Sequence, residues 1–281
     1  MKMLITGAKG QLGTELADKA DRSKYELVLA DMEEFDLTHE ASTVSFLEKA
    51  RPEIIINCAA YTQVDAAEAN EELAKKVNAD APAVLADWCA KNGARFIHIS
   101  TDYVFSGKHF LPYAEEDEPD PQSAYGRTKL EGENRALESN KGTIIIRTAW
   151  LYSPYGKNFV KTILKLTAEK EEIKVIADQI GSPTSAADLA RAILALLERA
   201  DAIGIHHFTN EGVASWYDFA YEIASASGSA CHVLPIKTSE YPTPAKRPAY
   251  SVLDKSKIKK LIGPIRHWRE ALQECLEELN K

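Results

Sequence analysis

No hydrophobic run in this sequence approaches the roughly 18 residues that a bilayer-spanning helix needs, so a membrane protein of that kind is excluded. Cysteine is scarce. The four present, Cys58, Cys89, Cys231 and Cys275, are scattered, with no C-x-x-C pair and no companion histidines at metal-ligand spacing, so they read as buried thiols in a reducing compartment and no metal is expected. Basic charge is short as well: 34 Lys and Arg against 42 Asp and Glu leave a formal charge of -8, which argues against a nucleic-acid partner gripped through many phosphate contacts. Any anionic ligand must therefore be met by local groups. There is no internal repeat and no low-complexity tract, and 45% hydrophobic with 27% charged residues excludes disordered and fibrous classes. The apolar stretch at Met3-Leu4-Ile5 is too short for a secretory signal core, and the default location is the cytoplasm.

What is present is a recurring alternation. Short β-rich apolar runs occur at Met3-Leu4-Ile5-Thr6, Leu27-Val28-Leu29-Ala30, Ile54-Ile55-Ile56-Asn57, Phe96-Ile97-His98-Ile99 and Thr143-Ile144-Ile145-Ile146, and they read as strands buried on both faces. Segments with helical spacing lie between them. The order predicts an α/β fold: a Rossmann-type, doubly wound parallel sheet with right-handed crossovers. After Trp150 the regularity breaks, although Ile173 to Ile176 reads as a further strand and Ser185 to Ala200 as a capped amphipathic helix. Two units are expected at about 150 residues each. The dinucleotide-binding domain takes residues 1–148 and about 172–202; a smaller C-terminal substrate-binding lobe takes about 149–171 and 203–281.

The turn Thr6-Gly7-Ala8-Lys9-Gly10-Gln11-Leu12-Gly13 leaves a strand and opens a helix, the setting in which a glycine pattern binds a dinucleotide. A pyrophosphate needs open backbone N–H groups at a helix N-terminus; side chains at positions 7 or 10 would block it, and Gly13 lets helix and sheet pack closely. Asp31 follows the second strand, where a carboxylate meets an adenosine ribose, and Asp36-Leu37 stands near the adenine edge. On charge, Asp31 favours NADH over NADPH, while Lys9 in the turn offsets the repulsion, so the choice between them stays open.

In Ser123-Ala124-Tyr125-Gly126-Arg127-Thr128-Lys129, Tyr125 and Lys129 stand at i and i+4 of one helix face. An ammonium beside a phenol is expected to pull its pKa toward the working range of an acid-base catalyst, and Lys129 also suits a nicotinamide ribose. Thr101 ends a buried strand at the carboxyl edge where open α/β sheets bind ligands, and its hydroxyl can donate to a carbonyl oxygen as charge develops. The acidic, proline-bearing segment from Pro112 to Pro121 reads as a solvated loop, with lid motion as the lesser alternative.

With these motifs in place, the sequence resembles the extended short-chain dehydrogenase/reductase family. It carries a TGxxGxxG turn, Asn57-Cys58-Ala59-Ala60 after the third strand, Thr101 and a YxxxK pair. Ser100 to Phe105, Arg147-Thr148-Ala149-Trp150, Gly156-Lys157-Asn158-Phe159, Asp178 to Thr184 and Arg247-Pro248 make it similar to the dTDP-4-dehydrorhamnose reductases within that family. The resemblance implies reduction, by NADPH or NADH, of the C4 ketone of dTDP-4-dehydro-6-deoxy-L-mannose to dTDP-L-rhamnose, the last step in making that nucleotide sugar for cell-surface polysaccharide. It implies Tyr125 as proton donor, Lys129 as its tuner and ribose ligand, and Thr101 as the group orienting the carbonyl. Gly10, Gln11 and Leu12 would lie along the pyrophosphate, and Ala59, Ala60 and Tyr61 along the cofactor. Thr101, Asp102 and Trp150 would contact the sugar, with Asn158 and Arg247 near the diphosphate. Some family members dimerise around magnesium held by glutamates; Glu15 fits one such position, the other ligands find no match, and a homodimer stays open. Two other readings are a non-catalytic cofactor-binding subunit, like the β subunit of methionine adenosyltransferase, and a sugar-nucleotide epimerase or dehydratase that retains its NAD.

Overall fold

The computed structural model describes residues 1–281. Its frame is a six-stranded parallel sheet. β1 (Lys2–Thr6), β2 (Glu26–Ala30), β3 (Ile54–Asn57), β4 (Arg95–Thr101) and β5 (Ile144–Thr148) are joined by a sixth strand, Gly204–His207, in the spatial order β2-β1-β3-β4-β5 and then Gly204–His207. The central runs read as doubly buried are so: Ile54, Ile55 and Ile56 are each at most 2% exposed, because helices cover both faces. The run Leu27–Ala30 is a correction, since β2 is an edge strand and Leu29 is 44% exposed. On one face Leu12 and Leu16 pack with Leu189, Ile193 and Leu196; on the other Leu47, Leu85 and Trp88 pack together. β2 and β3 flank β1 on opposite sides. The chain therefore reverses its winding there, which opens a crevice beyond the carboxyl ends of the central strands.

The sheet corrects two placements drawn from sequence. Ile173–Ile176 does not extend the main sheet; within the strand Glu172–Ile176 it pairs in parallel with His232–Ile236 in a separate two-stranded sheet. The main sheet's outer strand is instead Gly204–His207, from the segment expected to lie wholly in the second lobe. A short strand specifies its faces through its side-chain period, but not its partner. The second lobe has an apolar core of its own around Tyr152, Phe219, Trp268 and Leu272. The acidic segment is a loop pinned near its start, where Tyr113 is bridged to Leu253 and the Glu115 carboxylate accepts the His207 backbone N–H at 3.0 Å, and near its end, where the Asp120 N–H donates to the Val104 carbonyl at 3.0 Å. No helix is long and apolar enough to cross a membrane.

Candidate active site

The crevice begins at the glycine turn. α1 (Gln11–Lys19) starts from Gly10 with no side chain capping it and no acid in its first turn, so its first N–H groups stay open to an anion. Gly7 has φ +61°, and a Cβ there would stand 2.8 Å from the Ala59 nitrogen; one at Gly13 would stand 2.3 Å from the Gly7 carbonyl oxygen. This bare, donor-rich cradle fits a dinucleotide pyrophosphate. Leu12 is buried in the core, which leaves its backbone N–H as the group for the cofactor.

At the end of β2, Asp31 Oδ2 accepts the Lys9 backbone N–H at 3.1 Å, and Glu34 accepts the Asp31 N–H at 2.7 Å. Lys9 Nζ is paired with Glu33 at 2.6 Å. The lysine that was to offset Asp31 is thus already matched by another carboxylate, and the ribose end is acidic. Asp36 spends Oδ1 on its own turn, accepting from the backbone N–H and hydroxyl of Thr38, which holds its carboxyl below the usual range. Leu37 packs beside the core layer around Leu47.

Across the crevice, the helix Ala124–Ser139 starts from Ser123, whose hydroxyl accepts the Gly126 N–H at 3.1 Å. Gly126 lies against the Tyr103 carbonyl, close enough that a Cβ would come within 2.3 Å of its oxygen. That contact brings Tyr125 to the carboxyl end of β4. Its ring meets that of Tyr103 edge-on with centroids 5.5 Å apart, and burial pushes the phenol pKa up to about 12, with the neighbouring Thr101 side chain opposing the shift. Thr101 Oγ1 also lies 3.0 Å from Asp102 Oδ1, whose carboxyl is driven by burial up to about 6. Tyr61 and Tyr125 both pack against the cluster of Ala67, Ala74 and Ala124, and the loop carrying Ala59, Ala60 and Tyr61 is fixed where the Tyr61 N–H meets Asn78 Oδ1 at 2.8 Å.

Lys129 is 1% exposed. Its Nζ donates to the Ile99 carbonyl at 2.6 Å and lies 3.2 Å from His98 Nε2. The expectation that it depresses the Tyr125 pKa is corrected: its polar contacts go to Ile99 and His98, and burial dominates the phenol. Burial also lowers Lys129 itself to about 8. Further along the same face, Glu133 is tied to Arg147 by two N–H bonds at 3.0 and 2.7 Å and to the Ser100 hydroxyl. Breaking such a buried pair costs about 3–5 kcal/mol, so the tyrosine helix is locked to β4 and β5.

The opposite wall is aromatic. Trp150 adopts φ +51°, a left-handed conformation that costs a non-glycine residue about 1–3 kcal/mol and persists only where its surroundings impose it. Its ring stacks on Trp216 with centroids 3.6 Å apart, and a Cβ on Gly181 would stand 2.7 Å from it. Asn158 is held by its neighbours: Oδ1 caps the helix Phe159–Glu169, and Nδ2 donates to Gln11 Oε1 at 3.0 Å and the Ser153 carbonyl at 2.7 Å. These bonds tie its loop to the residue that opens α1. Arg247 grips Asp65 with two N–H groups, at 3.0 and 2.7 Å, and leaves its Nε–H uncommitted at the crevice rim. Glu15 is buried with Lys19 on its Oε2 at 2.6 Å.

A tyrosine, a threonine and a buried lysine thus stand together at the end of the fourth strand. The RmlD substrate binding domain model matches residues 1–281. The chain belongs to that family. Among solved structures, a dTDP-4-dehydrorhamnose reductase from Clostridium acetobutylicum is 44% identical, with a TM-score of 0.96 and 100% of both chains covered. Another from Bacillus anthracis, in complex with NADP, is 39% identical, with a TM-score of 0.95 and 99% of both chains covered. The dTDP-4-dehydrorhamnose reductase of Burkholderia thailandensis is 40% identical over 99% of each chain. Sequence reasoning gave no role to His98, Asp65, Glu133 or Trp216, and met Asn57 and Gly181 only inside quoted motifs. Of the first four, Glu133 had left a signal, as the third residue of the 125, 129, 133 series.

Proposed function

We propose that this protein catalyses the NAD(P)H-dependent reduction of dTDP-4-dehydro-6-deoxy-L-mannose at C4, giving dTDP-L-rhamnose. The observation that carries this reading is the gathering of Tyr125, Thr101 and the buried Lys129 at the carboxyl end of β4, beside a glycine cradle that fits a dinucleotide. When bound, the reduced nicotinamide supplies the hydride that C4 receives. The protein supplies the proton. Tyr125, with a pKa of about 12, is fully protonated at neutral pH and is a far stronger acid than the secondary alcohol product, so its proton passes downhill to the oxygen of C4. Thr101 orients that oxygen as charge builds on it. Lys129 holds the ribose side of the site. Asp102, largely desolvated, and the Trp150 ring bound the sugar, and the free Nε–H of Arg247 faces the diphosphate.

The test mixes the 4-keto-L-sugar nucleotide with the protein and each reduced cofactor, then identifies the product. Stoichiometric cofactor oxidation and dTDP-L-rhamnose are expected. Cofactor binding without oxidation by any 4-keto sugar nucleotide would instead make the chain a binding subunit, and turnover with no added cofactor would make it an epimerase.

A further inference from the structure

Behind Lys129 a column of polar groups runs sideways through the sheet. His98 Nε2 lies 3.2 Å from Lys129 Nζ, His98 Nδ1 lies 3.0 Å from Asn57 Nδ2, and Asn57 Oδ1 accepts from the Thr6 hydroxyl at 2.6 Å. The four residues sit on β4, the tyrosine helix, β3 and β1, and each is at most 1% exposed. Water is excluded, so every proton in the column must find its acceptor inside it.

The donor sense can be followed from one end. The Ala59 backbone N–H, which can only donate, points to Thr6 Oγ1 at 3.4 Å. The Thr6 hydroxyl then gives its own hydrogen to Asn57 Oδ1, which turns the amide so that Nδ2 donates to His98 Nδ1. His98 is held neutral, its pKa well below the ordinary value, by burial and by the Lys129 charge. Its one hydrogen then sits on Nε2 and faces the Lys129 nitrogen, an arrangement suited to an amine. An ammonium would oppose donor to donor. To accept from it, His98 must carry its hydrogen on Nδ1, and the Asn57 amide must turn over.

The remaining groups around Lys129 do not have this freedom. Glu133, one turn along its own helix, is tied to Arg147 and Ser100. Cys58, beside β3, is a thiol kept protonated by burial. Tyr125, one turn earlier, is a phenol kept protonated by burial.

We propose that His98 is a positioning residue for Lys129: with the Ile99 carbonyl it fixes the direction of Nζ, and it changes tautomer as Lys129 gains or loses its proton. The part played in turnover rests on the reductase reading; the tautomer change does not.

The full-length protein labelled with ¹⁵N-histidine, carrying His98→Phe, His98→Gln, Thr6→Val or Lys129→Met, tests this. In the wild type the His98 ring-nitrogen shifts should exchange between the two tautomer patterns across the Lys129 titration, and Lys129→Met should abolish that change. His98→Phe, which removes the acceptor, should weaken NADH binding and lower kcat/KM by about tenfold or more, on the scale of lost second contacts to a functional group. It should also move the Lys129 limb of the pH profile down by about one unit, because the ammonium loses a hydrogen bond. His98→Gln should recover most of both, and Thr6→Val, which frees the Asn57 amide to turn and so favours the tautomer that accepts from an ammonium, should shift the limb upward, opposite to His98→Phe and by less. A His98 tautomer that stays fixed throughout the titration overturns the proposal. So does equal impairment by Phe and Gln with a common fall in Tm, which would make the histidine a packing residue. Loss of reductase activity in the wild type, with the tautomer change intact, would instead sink the functional reading and leave the column standing.

Discussion

The two walls of the crevice are held by different forces. On the wall of Tyr125 and Lys129, position comes from hydrogen bonds and one buried ion pair, closed by residues of the sheet and of a single helix. On the facing wall, position comes from stacking and backbone strain: Trp150 is held left-handed against Trp216 and the bare face of Gly181. Directional bonds fix where a proton lies, and an aromatic surface fixes a shape. Damage to the first wall should therefore appear as lost rate, and damage to the second as lost affinity for the sugar.

The largest effect is expected from Tyr125→Phe. It removes one hydroxyl from the polar wall and keeps the ring against Tyr103, whose centroid is 5.5 Å away. Turnover should fall at least about a hundredfold, the usual scale for loss of a general acid. NADH affinity, measured by fluorescence titration, should stay near normal. Near-normal turnover would remove Tyr125 as the donor.

Gly181→Ala tests the other wall without touching a polar group. The new methyl would meet the Trp150 ring at 2.7 Å, and either the ring moves or its stack on Trp216 opens. KM for the sugar nucleotide should rise about tenfold, equivalent to about 1.4 kcal/mol, with NADH binding unchanged. A fall in kcat with KM unmoved would mean that the aromatic wall serves the chemistry and not the ligand.

The contrast also explains what was legible in the sequence. Tyr125 and Lys129 share a helix face at i and i+4, and the glycine turn joins a strand to the helix it opens, so local periodicity was enough to place them. The aromatic wall joins Trp150, Gly181 and Trp216 through strands of two residues, Leu151–Tyr152, Ile180–Gly181 and Ala214–Ser215, which carry too little pattern to register. Asp65 and Arg247 meet from 182 positions apart, and no spacing rule reaches that far. His98 lay hidden for another reason: in a doubly buried strand a single polar residue among isoleucines reads as an interruption, and its partners come from one other strand and the helix. The strand Glu172–Ile176 was recognisable as a strand, but its partner His232–Ile236 contains Pro235 and lies in an irregular stretch, so the main sheet was the only place left for it.

The smallest effect concerns the floor at the β2 edge of the sheet, away from both walls, where the adenosine ribose of the cofactor would rest. Here charge takes the part that hydrogen bonds and stacking take at the walls. Asp31, Glu33 and Glu34 gather at the end of β2, and the one nearby cation, Lys9, is paired with Glu33. A ribose 2′-phosphate entering this region meets net negative charge, whereas a 2′-hydroxyl can donate to Asp31. These groups are solvent-exposed, and screening keeps the discrimination modest. NADH should bind several-fold more tightly than NADPH at low ionic strength, with the gap shrinking as salt is added. Glu33→Ala releases Lys9, so the NADPH dissociation constant should fall by a few-fold while that of NADH barely moves. Equal changes for both cofactors would show that Glu33 shapes the turn and does not select the ribose, and the floor would then belong with the hydrogen-bonded wall.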